Sequence, residues 1–375
     1  MALISCQRPL FDIPDDVAYF DCAKMSPLLR SAVEAGQQGL ARKARPWAIN
    51  APDFFDESER VRALFARLIG ARADDIAIIP SVSYGLATVA ANIAVEPGQT
   101  IVLLAEDFPS TALTVMDLAR RSGARLVTVE RPEDGNWTPA LLAAIDEATA
   151  LVCSPHVHWT DGGRIDLVAV GKKCRAVGAA LVLDTTQSLG ALPLDLAAID
   201  PDFMVATAYK WLLGPYSIGF LYAAPRRQDG RAIEQSWIAR KGSHDFRRLL
   251  PYQEAYEQGA RRFDMGERSN FALLPAAGTA IEQMLAWGVA DIAETLGLMT
   301  GRIAARLGDR IDAVPAAWRG PHFLSVRFRA PLPDDIGERL AAANVHVSLR
   351  GDRMRITPHL YNNDADMERL LAKLG

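Results

Sequence analysis

Short apolar runs alternate with amphipathic stretches through the middle of the chain. The runs are Ile76–Ile79, Ile101–Leu104, Leu126–Val129, Leu151–Ser154, Leu181–Leu183, Phe203–Ala206 and Ile218–Tyr222. They are short and rich in β-branched residues and leucine, the pattern of strands covered on both faces. Between them the apolar positions switch to a helical period over Tyr84–Val95, Ser110–Ser122, Pro139–Glu147 and Asp166–Val177. Gly123 and Gly178 follow two of these stretches, where a glycine ends a helix with least strain. The alternation predicts an α/β fold, a mainly parallel sheet of seven strands flanked by helices.

The flanks read differently. Asp53–Ile69 is predicted as a helix, because Val61, Leu64, Phe65, Leu68 and Ile69 form one apolar stripe and Gly70 stops it. After Pro225 the segment Arg226–Arg262 is polar and weakly periodic. One long helix is predicted over Leu273–Leu307, then strands at Phe323–Phe328, Val345–Ser348 and Met354–Ile356, then a helix from Asp364. This divides the chain into a large domain, residues 15–256, and a smaller α+β domain, residues 257–375 with the N-terminal segment 1–14.

Composition narrows the function. The 375 residues are 50% hydrophobic and 23% charged, ordinary globular values. A net charge of −4 offers no basic footprint, so neither nucleic acid nor an anionic membrane is expected as partner. The uncharged stretch Ile76–Val95 is interrupted by Pro80, Ser81, Ser83, Tyr84 and Gly85, and reads as strand, turn and helix rather than a membrane span. Cys6, Cys22, Cys153 and Cys174 form no C-x-x-C pair and no metal-ligand spacing with histidine. They read as reduced thiols of a cytoplasmic protein, with no metal site expected.

The strongest chemical signal is LVLDTTQSLG followed by DFMVATAYKWLLGPYSIGF, between Leu181 and Phe220. Asp184 ends one apolar strand and Gln187 follows it closely; Lys210 comes just after another strand. Burial lowers a lysine's pKa and makes its amine a nucleophile toward aldehydes. A carboxylate at the neighbouring strand end can face a pyridinium nitrogen. Lysine and acid together are what pyridoxal phosphate requires. Gly214 and Gly219 around Pro215 suit a tight turn after the lysine.

These elements resemble the class V aminotransferase group of fold-type I pyridoxal-phosphate enzymes, which includes cysteine desulfurases, kynureninases and isopenicillin-epimerase-like proteins. The resemblance runs from YFDCAKMSPL at Tyr19–Leu28 to RITPHLYN at Arg355–Asn362. It implies that Lys210 is the Schiff-base lysine, that Asp184 holds the ring nitrogen protonated and that Gln187 bonds the ring's phenolic oxygen. Val82 and Ser83, at a strand-to-helix turn, are implied to cradle the phosphate with Thr207; Tyr209 precedes the lysine as in kynureninase-like members. Phe108, in F-P-S, corresponds to the aromatic that stacks on the ring. His156 points towards the site edge, a substrate-binding candidate expected to be more structural than catalytic. Arg355 corresponds to the arginine that grips the substrate carboxylate, with Arg350 and Arg353 beside it expected to be solvated. Ser269-Asn270 is similar to a kynureninase-like S-N, which makes Asn270 a substrate-binding candidate.

Two departures follow from the same comparison. Val345–Arg353 contains no cysteine, which argues against persulfide chemistry. Glu267 stands where many members carry a threonine that reaches the partner subunit's phosphate, and a carboxylate there would repel it. The resemblance implies a homodimer acting on a small-molecule substrate, an amino acid. An aminotransferase is the first expectation. The alternatives are a kynureninase-like hydrolase, a C–S or β-lyase without a persulfide cysteine, and a regulatory protein that binds pyridoxal phosphate without turnover.

Overall fold

The computed structural model describes residues 3–374. The chain opens with a two-residue strand β1 (Ala18–Tyr19), helix α1 (Arg30–Arg42) and helix α2 (Asp56–Ile69). An alternating core follows: β2 (Ile76–Ile79), α3 (Val82–Ala90), β3 (Thr100–Leu104), α4 (Pro109–Ser122), β4 (Arg125–Val129), α5 (Trp137–Ala143) and β5 (Thr149–Pro155). It continues through α6 (Leu167–Val177), β6 (Ala180–Asp184), α7 (Leu196–Ile199), β7 (Phe203–Thr207) and β8 (Gly219–Ala223). The C-terminal part holds α8 (Leu273–Trp287), α9 (Val289–Leu307), β9 (Ile311–Ala313), β10 (Leu324–Phe328) and α10 (Ile336–Ala342). It ends with β11 (Val345–His346), β12 (Ser348–Arg350), β13 (Arg353–Ile356) and α11 (Asp364–Leu374).

The large sheet has seven strands in the order β2-β8-β7-β6-β5-β3-β4. From β4 to β7 all neighbours are parallel; β8 runs antiparallel to both β7 and β2. Both faces are covered, and the period of two assigns residues to them. Ala77, Ile101, Leu103, Val182 and Val205 pack under α3 and α4. Ile76, Val102, Leu181, Leu183 and Met204 pack under α2, α5 and α6. Edge strand β4 is the exception to full burial, with Arg125 and Thr128 exposed. The opposite edge, β2, is closed by residues 259–265. Arg62, fully buried, pairs with Asp264 at 2.8 Å, and Asp264 accepts the Ile78 N–H at 2.7 Å.

A second, four-stranded antiparallel sheet, β12-β13-β10-β9, carries α9, α10 and α11 on its apolar face. The short parallel pair β1–β11 links the N-terminal segment to this region. Strand β9 has no counterpart in the apolar runs, because only Ile311 of its three residues is buried.

Helix boundaries differ from the periodicity in instructive ways. The predicted helix Leu273–Leu307 is two helices, since Gly288 adopts φ +80 and breaks it. The helix predicted from Tyr84 begins at Val82, and its N-cap is Ser81, whose Oγ accepts the Tyr84 N–H at 3.2 Å. Asp53–Ile69 is a short 3-10 turn, Ala51–Phe54, followed by α2. The predicted strand Val345–Ser348 splits between β11 and β12. No helix among the described residues is long and apolar enough to cross a membrane.

Candidate active site

Loops at the carboxyl ends of β3, β5, β6 and β7 surround a cavity of about 330 Å³. Open α/β sheets offer a crevice there, because the strand order reverses between adjacent strands, here β3 and β5. The cavity is lined by Val82, Ser83, Phe108, Asp184, Gln187, Thr207, Tyr209 and Lys210. Eight residues scattered over more than a hundred positions of sequence are thus gathered around one space.

Asp184 is the last residue of β6 and shares a face with Ala180 and Val182, toward α4. Its Oδ2 accepts the Thr111 hydroxyl at 3.3 Å and its Oδ1 the Thr186 N–H at 2.9 Å. Lys210 follows β7, the next strand, and is 5% exposed. Its Nζ lies 5.4 Å from the Phe108 ring centroid and 5.5 Å from that of Tyr209, with no hydrogen-bond acceptor holding it among the described residues. Burial brings the amine down to about 8, although nearby Asp184 pulls the other way. A fraction of it is therefore neutral near pH 7, as a nucleophile or base requires.

Beside Asp184 stands a second carboxyl that sequence reasoning left unassigned. Asp107 lines the cavity, its Oδ1 accepts the Phe108 N–H at 2.7 Å, and its Oδ2 has no partner. Burial, and then the proximity of Asp184, push it up to about 8. The residue was visible in the motif E-D-F-P-S, but nothing in the chain pattern shows that the ends of β3 and β6 converge.

Helix α3 points its start at the cavity. Its first-turn N–H groups, those of Val82 and Ser83, have no intrahelical partner and make an anion site. The close approach rests on Gly85: a Cβ there would lie 2.7 Å from Val205 Cγ1 and 2.8 Å from Ile79 Cδ1. Across the cavity, Thr207 Oγ1 accepts the Tyr209 N–H at 3.2 Å. The turn after Lys210 departs from expectation. Its left-handed residues are Leu213 (φ 53) and Ser217 (φ 66), not glycines. Gly214 is needed for contact instead, since a Cβ would meet Ala208 Cβ at 2.8 Å.

Phe108 meets Trp159 edge-on at 5.5 Å between centroids. Gln187 is held in one orientation. The Trp211 indole, which can only donate, gives its proton to Oε1 at 3.0 Å, and Nε2 donates to the Ala23 carbonyl at 3.0 Å. That leaves one amide N–H for the cavity.

The three remaining candidates lie outside the cavity lining. Arg355, 2% exposed, donates to the Trp159 carbonyl at 3.0 Å and faces its ring at 5.8 Å. Its Nε is unpartnered; burial and the neighbouring Arg350 bring it down to about 10. His156 turns away into a separate hollow beside Arg164 and Trp318, and burial lowers it to about 3, so it is neutral. Asn270 caps α8, accepting the N–H groups of Ala272 and Leu273 at 3.1 and 2.8 Å. Glu267 is exposed, whereas Arg268 is buried against Asp264 at 3.3 Å. Ser269 donates to the Phe54 carbonyl. Arg268, Ser269 and Asn270 are thus occupied within their own chain.

The Aminotransferase class-V family description matches residues 19–363. The uncharacterized aminotransferase YcbU of Bacillus subtilis is 28% identical over 92% of this chain and 89% of its own length. A kynureninase of Deinococcus radiodurans is 27% identical over 69% of this chain and 64% of that protein. Among solved structures, the apo cysteine desulfurase of Thermococcus onnurineus superposes with a TM-score of 0.86 at 19% identity. The match covers 100% of this chain and 98% of that one, and at that identity the fold is what is shared.

Proposed function

Because the chain belongs to the class-V aminotransferase family, we propose that it is an aminotransferase of a free α-amino acid. In this reading Lys210 is the lysine that carries the cofactor. The observation that carries the reading is the buried Lys210 amine facing the same cavity as Asp184 and the start of α3.

The family's cofactor is pyridoxal 5′-phosphate, and the cavity fits it. An unpaired amine, a carboxylate on the adjoining strand and a helix start with free N–H groups surround a space of about 330 Å³, within the size range of ligand pockets. Bound there, the group supplies an aldehyde for the substrate amine and a ring that takes up the electron pair released at the α-carbon.

The chain's own residues do the rest. The N–H groups of Val82 and Ser83, with the Thr207 hydroxyl, bind the phosphate. Asp184 orients the ring nitrogen and keeps its proton. The free N–H of Gln187 orients the phenolic oxygen, and Phe108 lies along the ring face. Lys210, neutral in part because it is buried, moves the proton at the substrate's α-carbon. Arg355, its Nε unspent behind Trp159 and its Nη2 4.0 Å from Asp21, takes the α-carboxylate. The missing cysteine in Val345–Arg353 favours amino transfer over a persulfide route. The enzyme is a homodimer in this reading.

Purified protein reconstituted with pyridoxal phosphate is expected to be yellow, and Lys210→Ala colourless after dialysis. A panel of amino acids with a keto-acid acceptor is expected to yield new keto acid. Ammonia, sulfide or a cleaved side chain in its place would move the enzyme to the lyase and hydrolase branch.

A further inference from the structure

Beside the cavity, and sharing Asp107 and Trp159 with it, lies an outer hollow of about 570 Å³. Its far wall is the β12–β13 hairpin. The register sets Arg350 opposite Arg353 and Ser348 opposite Arg355. Directly opposed residues of an antiparallel pair project from the same face, and residues two apart on one strand do so too. Arg350, Arg353 and Arg355 therefore form one cationic face.

Like charges opposed across a hairpin destabilise it unless an anion lies between them. Here none does. Arg350 donates only to the neighbouring Leu349 carbonyl, at 2.8 Å, and no acidic side chain among the described residues pairs with Arg350 or Arg353. The other arginines of the hollow are occupied: Arg131 by Glu106 and Asp161, Arg327 by Asp312 at 3.5 Å and Asp352 at 3.7 Å. Arg350 and Arg353 are both half-buried, and Arg350 is close enough to lower the pKa of Arg355 and Lys210.

We propose that Arg350 and Arg353 bind a second anionic group on the substrate, so that the amino acid taken at Lys210 carries an acidic side chain. The inference rests on the aminotransferase reading for its α-carboxylate site at Arg355. A dicarboxylic α-amino acid would span along the hairpin from Arg355 to Arg350 and Arg353 near its turn, its amine directed past Trp159 to Lys210. Guanidinium groups suit such an end, since each offers a planar fork to a carboxylate.

The test separates binding from turnover. With the reconstituted enzyme, glutarate and valerate are compared by isothermal titration, and glutamate and aspartate with glutamine and asparagine by kcat/KM. The expected preference for the diacid and the acidic amino acids is roughly 10- to 100-fold, the range of a hydrogen-bonded charge. It should fall with added salt, vanish in Arg350→Ala/Arg353→Ala and return in part in the corresponding double lysine variant. An unchanged melting temperature shows that the alanine variant is folded. Equal binding of glutarate and valerate, or equal losses for acidic and neutral substrates, overturns the inference and leaves the aminotransferase reading standing. A glutarate preference that depends on the two arginines, without any keto acid formed, supports the inference and overturns that reading.

Discussion

At the scale of single residues, the site is defined by what burial does to charge. Asp107 illustrates the consequence. Its carboxyl, raised to about 8, stays protonated in the folded chain over a range where the unfolded chain has lost the proton. The native state therefore binds more protons between about pH 4 and about pH 8, and Asp107 makes stability fall as pH rises through that window. Asp107→Asn removes the effect. In the apoprotein the melting temperature of Asp107→Asn should exceed that of the wild type by a margin that widens from pH 5 to pH 8. One pKa unit is worth about 1.4 kcal/mol, or about 2 °C in a chain of this size. A margin constant with pH would show that Asp107 is not held neutral. The lysine–carboxylate pair was legible in the sequence because Asp184 ends, and Lys210 closely follows, a strand whose apolar run announces it. Asp107 was not, because its burial and its neighbour Asp184, 77 positions away, arise only when β3 and β6 enter one sheet.

At the scale of elements, α3 shows how a helix is aimed. Ser81 caps it, β2 leads into it, and Gly85 lets it press onto β7. Gly85→Ala is expected to push the helix outward, with a cost of about 1–3 kcal/mol from overpacking and a loss of affinity for pyridoxal phosphate measurable by absorbance titration. Gly301→Ala is the matched control. It lies within α9 with nothing within 4 Å of its would-be Cβ, so helix propensity should raise stability by up to about 1 kcal/mol. If both variants behave alike, the close approach at Gly85 is not what positions the cradle. The same scale holds the misread boundaries. Periodicity runs straight through Gly288, because a left-handed residue interrupts the backbone without disturbing the apolar stripe on either side. It also misses β9, which is held by pairing with β10 rather than by its own burial.

At the scale of the whole molecule, the exposed apolar surface bears on assembly. Trp47 is 80% exposed and Tyr252 87%, with Leu40 and Leu250 also well exposed. Large aromatics left in water suit a surface covered by another subunit. Light scattering is expected to give the dimer mass, with Trp47→Asp or Tyr252→Asp shifting it toward the monomer; a monomer mass for the wild type would reject the homodimer. By itself the sequence determined the strand–helix alternation, the seven-stranded sheet and the lysine–aspartate pair, because each is carried by local period and residue type. Tertiary structure alone decided the rest. It set Asp107 beside Asp184, turned His156 away from the cavity, and bound Asn270 to its own helix. It also gathered Arg350, Arg353 and Arg355 on one face, where local pattern suggested two solvated arginines beside a functional one. Face and proximity follow from strand register and strand order, and both are set by pairing partners distant in the chain.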